Sequence, residues 1–476
     1  MDGKSSKLKV ENQDGEDRIS SLPDSVLCHI LSYLPTKTAM ATCILSSRWK
    51  LVWTSLPNLC LDDRLLLEYK RTQHLSDVTS ATFENFVNRV FLLHPPVDLN
   101  KFFLHCFKLR DWTCFNFWVS AAIMRNVRDM ELNLEHHDRV ELPESIYTSK
   151  TLEVLKLDSD FTFKIPASGI CLPSLKIFRV VMRYPRNNLI EKLFSNCPAL
   201  EDLSIMGYLH GADMVAFNIS SLTLKRLSLV FEDVDEFSYT EHLVVIEAPN
   251  LEHLFIRDCP LVSYLVHKPH ALMKVVVNFY YESLIDFDPP DFPDQSVVQL
   301  LEGVTNAKFL SLSKGTIAAL DSADLDFFPL FSNLTCLEVD IKYGWRLFPI
   351  ILSSMPNLES LVFEKDIGVE CEWTGQQFMP DCLNQDVGVE SGWTEPSFVP
   401  HCLRSNIKTI EIRRFEGKKS QVKLIKYLLK NGEVLNSFMV TFHKKLSRKS
   451  GLKDKIARKL WKFEKGSRTC ELKVFI

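Results

Sequence analysis

The chain has 476 residues, 46% hydrophobic and 24% charged, which is too much for one ordinary core and suits several domains or a repeat array. Lys and Arg total 56 against 60 Asp and Glu, a net charge of -4 that removes any whole-chain argument for nucleic acid or an anionic membrane. Cysteines number 13, with no C-x-x-C pair, and no apolar run nears the roughly 18 residues of a membrane span; this pattern excludes a disulfide framework and paired-cysteine zinc, and fits a reducing nuclear or cytoplasmic setting.

Residues 1–16, "MDGKSSKLKVENQDGE", read as a disordered polar tail without the apolar stretch of a signal peptide. Beyond them Leu22, Val26, Leu27, Ile30, Leu31 and Leu34 recur at helical spacing. Pro23 and Asp24 suit a first helical turn, and Pro35 forbids continuation. Thr36 or Thr38 is expected to cap a second helix carrying Ala39, Met40, Cys43 and Ile44. A third helix carries Trp49, Val52 and Trp53. Three short helices in about 40 residues lie near the lower size limit for a domain folding alone, so the block needs a partner surface.

The stretch "DRISSLPDSVLCHILSYLPTKTAMATCILSSRWKLVWTSLPNLCLDD", residues 17–63, resembles an F-box of the plant type. Leu22-Pro23, Ile30-Leu31, Leu34-Pro35, "ILSSRW" and Trp53 stand in the matching order. The resemblance implies docking on a Skp-type adaptor and, through it, a cullin ubiquitin ligase. It also implies that Leu22, Pro23, Ile30, Leu31, Leu34, Pro35 and Leu45 form or support the adaptor face, with Trp49 and Trp53 anchoring the third helix. One departure is Thr38, where many relatives carry an acidic residue.

From about residue 126 apolar residues recur at positions 1, 4 and 6 of short segments: "LEVLKL" from Leu152, "LKIFRV" from Leu175, "LEDLSI" from Leu200, "LKRLSL" from Leu224, "LEHLFI" from Leu251, "LTCLEV" from Leu334 and "LESLVF" from Leu358. The first five start 23, 25, 24 and 27 residues apart. This is the leucine-rich-repeat signature, in which each repeat gives one strand and a return segment and buries its apolar residues only by stacking on neighbours. Pro173, Pro198, Pro249 and Pro356 stand two residues before the first apolar position and can end the incoming segment. Residues 64–365 are therefore expected to form an irregular solenoid, with the linking helix and first repeats in 64–125 and with Cys197 and Cys259 as buried punctuation. Helices of ten or more residues between strands give only a weak signal, and the repeat count between 257 and 333 stays open. By phasing, Lys156, Arg179, Ser204, Ser228, Phe255, Arg257, Glu338 and Val362 face the concave side and form a candidate target face of mixed chemistry.

"DIGVECEWTGQQFMPDCL" at 366–383 reappears as "DVGVESGWTEPSFVPHCL" at 386–403, a tandem duplication. The second copy leads into the strand-like "IKTIEIRRFEG", then a helix and a strand in "SQVKLIKYLLKNGEVLNSFMV". Residues 386–476 thus resemble the FBD domain that ends many plant F-box proteins, and 366–385 reads as a duplicated loop insert. Cys371, Cys382 and Cys402 lack the spacing of a zinc site.

The 26 residues "HKKLSRKSGLKDKIARKLWKFEKGSR", 443–468, hold 11 Lys or Arg against 2 acids. Leu452, Ile456, Leu460 and Phe463 share one helical face, which favours an amphipathic closing helix over a nucleic-acid patch. "DFDPPDFPD" at 286–294 and His136, His137 and Asp138 read as loop and turn. No phosphate-binding loop, nucleophile elbow, RING-type cluster or cofactor motif occurs.

The expected fold is α+β and multi-domain: a small N-terminal three-helix F-box, an irregular leucine-rich-repeat α/β solenoid and a C-terminal α/β FBD module. The expected function is a non-catalytic receptor subunit of a Skp–cullin–F-box ubiquitin ligase, needing no cofactor and holding an unidentified protein substrate. Two alternatives stay open: an interaction scaffold of the same fold, and a nucleic-acid binder using the basic C-terminal helix.

Overall fold

A computed structural model describes residues 18–19, 21–67, 77–135, 140–159, 161–167, 169–183, 192, 195–209, 216–233, 242–258, 262–279, 294–322, 328–340, 346–364, 395–443 and 450–475. The chain divides into two units, Met1–His137 and Asp138–Ile476.

The first unit opens with helices α1 (Asp24–Leu31), α2 (Thr36–Ala41) and α3 (Trp49–Val52), the last continuing into a 3-10 turn at Trp53–Ser55. Pro35 marks the break between α1 and α2, as its missing donor requires. Neither Thr36 nor Thr38 caps α2, contrary to expectation. Pro35 occupies the N-cap position, and Thr36 is fully buried with its Oγ1 accepting from the Cys60 N–H at 2.8 Å. That hydroxyl therefore ties α2 to the strand that follows the helices, where a capping role would have kept it local.

That strand, β1 (Asn58–Asp62), pairs in parallel with β2 (Lys101–Cys106), and β2 with β3 (Asp129–Leu134). Helix Asp77–Leu93 connects β1 to β2, and helix Trp112–Met124, capped by Asp111 accepting from the Thr113 N–H at 2.8 Å, connects β2 to β3. Leu56, Leu59 and Leu61, then Leu99, Phe102 and Leu104, then Val127, Met130 and Leu132 are all buried. These triplets keep the 1-4-6 spacing, so the strand-and-return pattern begins at Leu56, inside the F-box resemblance and ahead of the expected start of the solenoid at 64.

In the second unit the short strands β4 (Val140–Glu141) and β6 (Phe161–Thr162) pair with each other. The long ladder runs, in order, through β5 (Val154–Asp158), β7 (Ile177–Arg183), β8 (Asp202–Leu209), β10 (Arg226–Asp233), β12 (His253–Asp258), β14 (Lys274–Phe279), β15 (Phe309–Leu312), β16 (Cys336–Val339), β17 (Ser360–Phe363), β18 (Thr409–Phe415), β19 (Ser437–Phe442) and β20 (Glu471–Phe475). Every neighbouring pair is parallel. All seven segments read as repeats supply ladder strands, and their position 1, 4 and 6 residues are buried. Strands are entered through tight turns, as in Leu175 N–H to Leu172 O, Leu200 to Cys197, Leu251 to Ala248 and Leu358 to Met355. Asn250 and Asn357, following the turn prolines, donate from Nδ2 to Leu222 O and Ser332 O of the preceding repeats, both at 2.8 Å. Such side-chain bonds satisfy carbonyls at repeat borders that no strand partner reaches.

The return segments come in two kinds. Between β8 and β14 they contain strands β9 (Ala216–Ser220), β11 (His242–Glu247) and β13 (Val262–Val266), which form a second parallel sheet in the order β13-β11-β9. Further on the returns are helical: Asp294–Gly303, Lys314–Ser322, Phe348–Ser353, His401–Ser405, Lys419–Asn431 and Ser450–Trp461. The first two fall in the stretch between 257 and 333 whose repeat count the sequence leaves open. Val297, Leu300 and Leu301 bury one face of Asp294–Gly303. At Gly303 an added Cβ would stand 2.5 Å from Val266 O, so the helix sits against β13 at a distance only glycine allows.

Among the described residues, the gap from 257 to 333 holds two further rungs. Leu272, Val275 and Val277, and Ala307, Leu310 and Leu312, are buried at the same 1-4-6 spacing. The segment expected as a C-terminal α/β FBD module continues the ladder, since β18 pairs with β17 in register Leu361↔Ile410. Ile407, Ile410 and Ile412, then Leu435, Phe438 and Val440, repeat the spacing and are buried. The polar tail, Cys259, the 286–293 part of the acidic loop, His136 to Asp138 and the insert 366–385 with Cys371 and Cys382 lie outside the described residues.

Candidate functional site

The three-helix block separates its apolar residues into two sets. Leu27, Leu31, Ala39, Trp49, Val52, Trp53 and Leu56 are buried and make its interior. Val26, Ile30, Tyr33, Leu34, Ile44, Leu45 and Leu51 are exposed, with Ile44, Leu45 and Leu51 at 84%, 63% and 71%. Scattered exposed leucines are ordinary, but seven large apolar side chains within 26 residues, Val26 to Leu51, form an unusually apolar surface for so small a block. The block is held by polar ties that leave this surface untouched. Arg48 pairs with Asp24 at 2.6 Å and donates to Leu22 O, and the Cys28 thiol donates to Val52 O at 3.3 Å. Burial, and then the Asp24 charge, push that thiol above its ordinary range.

Of the residues assigned to the adaptor face, Pro23, Ile30, Leu34 and Leu45 are exposed, while Leu22 and Pro35 are half-buried. Leu31 at 2% exposure belongs to the interior with Trp49 and Trp53, so these three support the block and do not present a surface. Helical periodicity alone could not separate Ile30 from Leu31, because α1 has apolar residues on too many sides. Ile44 and Leu51 were not assigned to the face; Ile44 sits in a 3-10 turn that a helical wheel misplaces.

The second candidate surface is one face of the long ladder. Lys156, Arg179, Ser204, Ser228 and Phe255 stand in consecutive register across β5, β7, β8, β10 and β12. The row continues through Val276 and Ser311 to Glu338 and Val362, and on through Glu411, Met439 and Lys473. Seven of the eight residues read as facing one side therefore form a single line. Arg257 lies one side-chain position further along, level with Val181, Met206 and Val230. That second line is an apolar cluster, buried at Val181, Met206 and Val230, with Phe255 packed against it.

Access along the row is uneven. Ser204 and Val362 are buried on the row, and the others named from sequence are partly exposed. Asp202 lies beside the row and is bracketed by Arg226 at 2.9 Å and Arg179 at 4.0 Å. Toward the other end, Arg413 bridges Glu364 at 3.1 Å and Glu411 at 2.9 Å. Burial pushes the Glu338 carboxyl above its ordinary range against the opposing field of Arg413.

Basic residues of the closing helix Ser450–Trp461 point outward at Lys455, Arg458 and Lys459, while Leu460 is buried and Ile456 half-buried. Lys453 is buried with its Nζ 5.5 Å from the Phe442 ring centre, a packing role. Cys402 is also structural: its thiol donates to Leu352 O at 3.1 Å, and burial pushes its pKa up to about 11. Among the described residues no helix is long and apolar enough to cross a membrane.

Comparison with known proteins gives these surfaces a context. Family models match at residues 19–61 for the F-box domain, 115–275 for the LRR repeats of FBD-associated F-box protein At5g56370, and 395–440 for FBD. FBD-associated F-box protein At5g22730 of Arabidopsis thaliana is 30% identical over 481 aligned residues, spanning 97% of this chain and 94% of that protein. The chain is an F-box protein with leucine-rich repeats and an FBD segment. F-box/LRR-repeat protein 13 of the same plant is 29% identical over 90% of both chains. Putative F-box/LRR-repeat protein At3g49150 is 32% identical over 75% of this chain and 56% of its own length. The F-box match ends at residue 61, so it includes most of β1: in this F-box/LRR chain the motif's last residues are also a repeat-type strand.

Proposed function

We propose that this F-box protein is a substrate-receptor subunit of a Skp–cullin–F-box ubiquitin ligase. F-box proteins with leucine-rich repeats are generally non-catalytic adaptors of such ligases, and the family membership carries that expectation here. The observation that carries the proposal for this chain is the division within residues 17–63: a satisfied interior around Leu27, Leu31, Trp49 and Trp53, and an exposed apolar set at Ile30, Leu34, Ile44, Leu45 and Leu51. Burying such a set on a Skp-type adaptor would remove it from water at about 25 cal/mol per Å² of apolar area. The ladder row from Lys156 to Val362, extended by Glu411 and Met439, is proposed as the surface that holds a protein target. The chain would then accelerate ubiquitin transfer by effective concentration, bringing a target lysine near a charged conjugating enzyme.

Co-expression with a Skp-type adaptor, followed by size-exclusion chromatography, tests the first half. A stoichiometric complex supports the reading; a chain that elutes alone at micromolar concentration supports a scaffold of the same fold. Adaptor binding with an inert ladder row, in which substitutions at Lys156, Ser228 and Phe255 change no target's turnover, would remove the second half.

A further inference from the structure

We infer that His105 is a protonation-dependent clamp that fastens the end of the F-box's closing strand to the two strands that follow it. Asp63 lies just beyond β1, His105 near the end of β2, and Glu135 just beyond β3. His105 is 1% exposed. Its Nδ1 stands 3.1 Å from Asp63 Oδ1, and its Nε2 stands 2.9 Å from Glu135 Oε1. A carboxylate only accepts hydrogen bonds, and a neutral imidazole has one N–H. Satisfying both carboxylates therefore requires the imidazolium, which donates from both nitrogens.

The surrounding charges are arranged for that form. Asp62 Oδ1 lies 3.5 Å from His105 Nδ1, and Asp62 is itself held by Arg64 at 2.8 Å. Asp63 Oδ2 accepts from the Phe107 N–H at 2.6 Å. On the same strand Lys101 faces Asp129 and Glu131 at 3.6 and 3.7 Å, so it is engaged elsewhere. The cluster thus holds three carboxylates, from Asp62, Asp63 and Glu135, against Arg64 and the ring. Because Arg64 and the Phe107 N–H already serve Asp62 and Asp63, it reads as an ion-pair network. Burial disfavours the charged ring, but the hydrogen bonds to Asp63 and Glu135, aided by Asp62, outweigh burial and the opposing Arg64 and raise the His105 pKa above its ordinary value.

The sign of the linkage follows. With the folded pKa raised, the clamp's contribution is fully present below the free-histidine value of about 6.5 and is lost as pH rises through the folded value. Losing the proton leaves one of the two carboxylates facing a lone pair, which loosens the end of β1 or of β3 and leaves it to the backbone bonds from Asp63 N–H to His105 O and from Glu135 N–H to Cys106 O, both 3.2 Å. The clamp thereby couples the helical block, through β1, to the rest of its unit in a manner that proton concentration controls.

The test uses the full chain with labelled histidine and follows ring resonances by NMR as pH is raised, His105 being assigned by its loss in His105→Gln. The expected result is a His105 midpoint above about 6.5 that falls in Glu135→Gln. Hydrogen exchange across 58–63, corrected for its intrinsic pH dependence, should accelerate through the same midpoint in the wild type and not in His105→Gln. Should His105→Gln fail to fold, the wild-type and Glu135→Gln titrations still decide, because the resonance that moves between them is His105. A wild-type midpoint at or below the free value, or a titration unmoved by Glu135→Gln, overturns the clamp.

Discussion

The joint between β17 and β18 can be tested by a double-mutant cycle at Leu361 and Ile410. Both side chains are fully buried, and the two residues are register partners on adjacent parallel strands, which lie about 4.8 Å apart. Leu361→Ala and Ile410→Ala each remove buried carbon and leave a cavity, so each should cost about 2–5 kcal/mol in urea unfolding of the full chain. Because each truncation opens space beside the other residue, the double mutant should deviate from additivity by about 1–2 kcal/mol, inside the range seen for contacting residues. Ties beside this pair point the same way: Thr409 Oγ1 donates to Ser360 Oγ at 3.0 Å, and Lys408 pairs with Glu359 at 2.9 Å. Additivity within about 0.5 kcal/mol, or two separate unfolding transitions of which Ile410→Ala moves only one, would refute the continuous ladder and point to an FBD segment that folds independently.

Repeat phasing is checked by Leu227→Asp against Ser228→Asp: Leu227 is 2% exposed and should lose several kcal/mol, enough to unfold the ladder, whereas half-buried Ser228 should change stability by less than about 1 kcal/mol, as read by thermal melts. Cysteine chemistry gives a second check. Burial pushes the Cys197 thiol up to about 12, so at neutral pH alkylation followed by mass spectrometry should label exposed Cys171 long before Cys197; equal rates would show that the repeat border around Cys197 is open.

How much of this was legible in the sequence depended on which residues filled the repeat. Where leucine holds positions 1 and 4, as at Leu200 and Leu203, the strand and its buried residues could be read directly. The same geometry built from Leu272, Val275 and Val277, or from Ala307, Leu310 and Leu312, carries the period with different side chains and shows no L-x-x-L-x-L motif. The Ile407 to Ile412 strand was recognised as a strand, but its pairing with β17 was not, because the duplicated stretch separates the two in the chain. In the F-box the family resemblance located the block, while the short helices hid which side chains face outward. Leu31 and Ile30 are adjacent in sequence, and only burial in the folded block, at 2% against 45% exposure, decides between them. His105 carried no signal at all, since its partners Asp63 and Glu135 stand 42 and 30 residues away in the chain.

The central claim is that residues 17–63 give their exposed apolar set to an adaptor, and the affinity of the full chain for a purified Skp-type adaptor, measured by calorimetry for wild type and for Ile30→Ala with Leu34→Ala, tests it most directly. Ile30 and Leu34 are 45% and 37% exposed, so each retains under half of its burial to complete on docking. Together they should contribute about 1–2.5 kcal/mol, a loss of roughly 5- to 70-fold in affinity, with an unchanged melting temperature because neither belongs to the block's interior. Wild-type chain that fails to bind the adaptor at micromolar concentration, or a folded double mutant that binds it as tightly as wild type, would contradict the account.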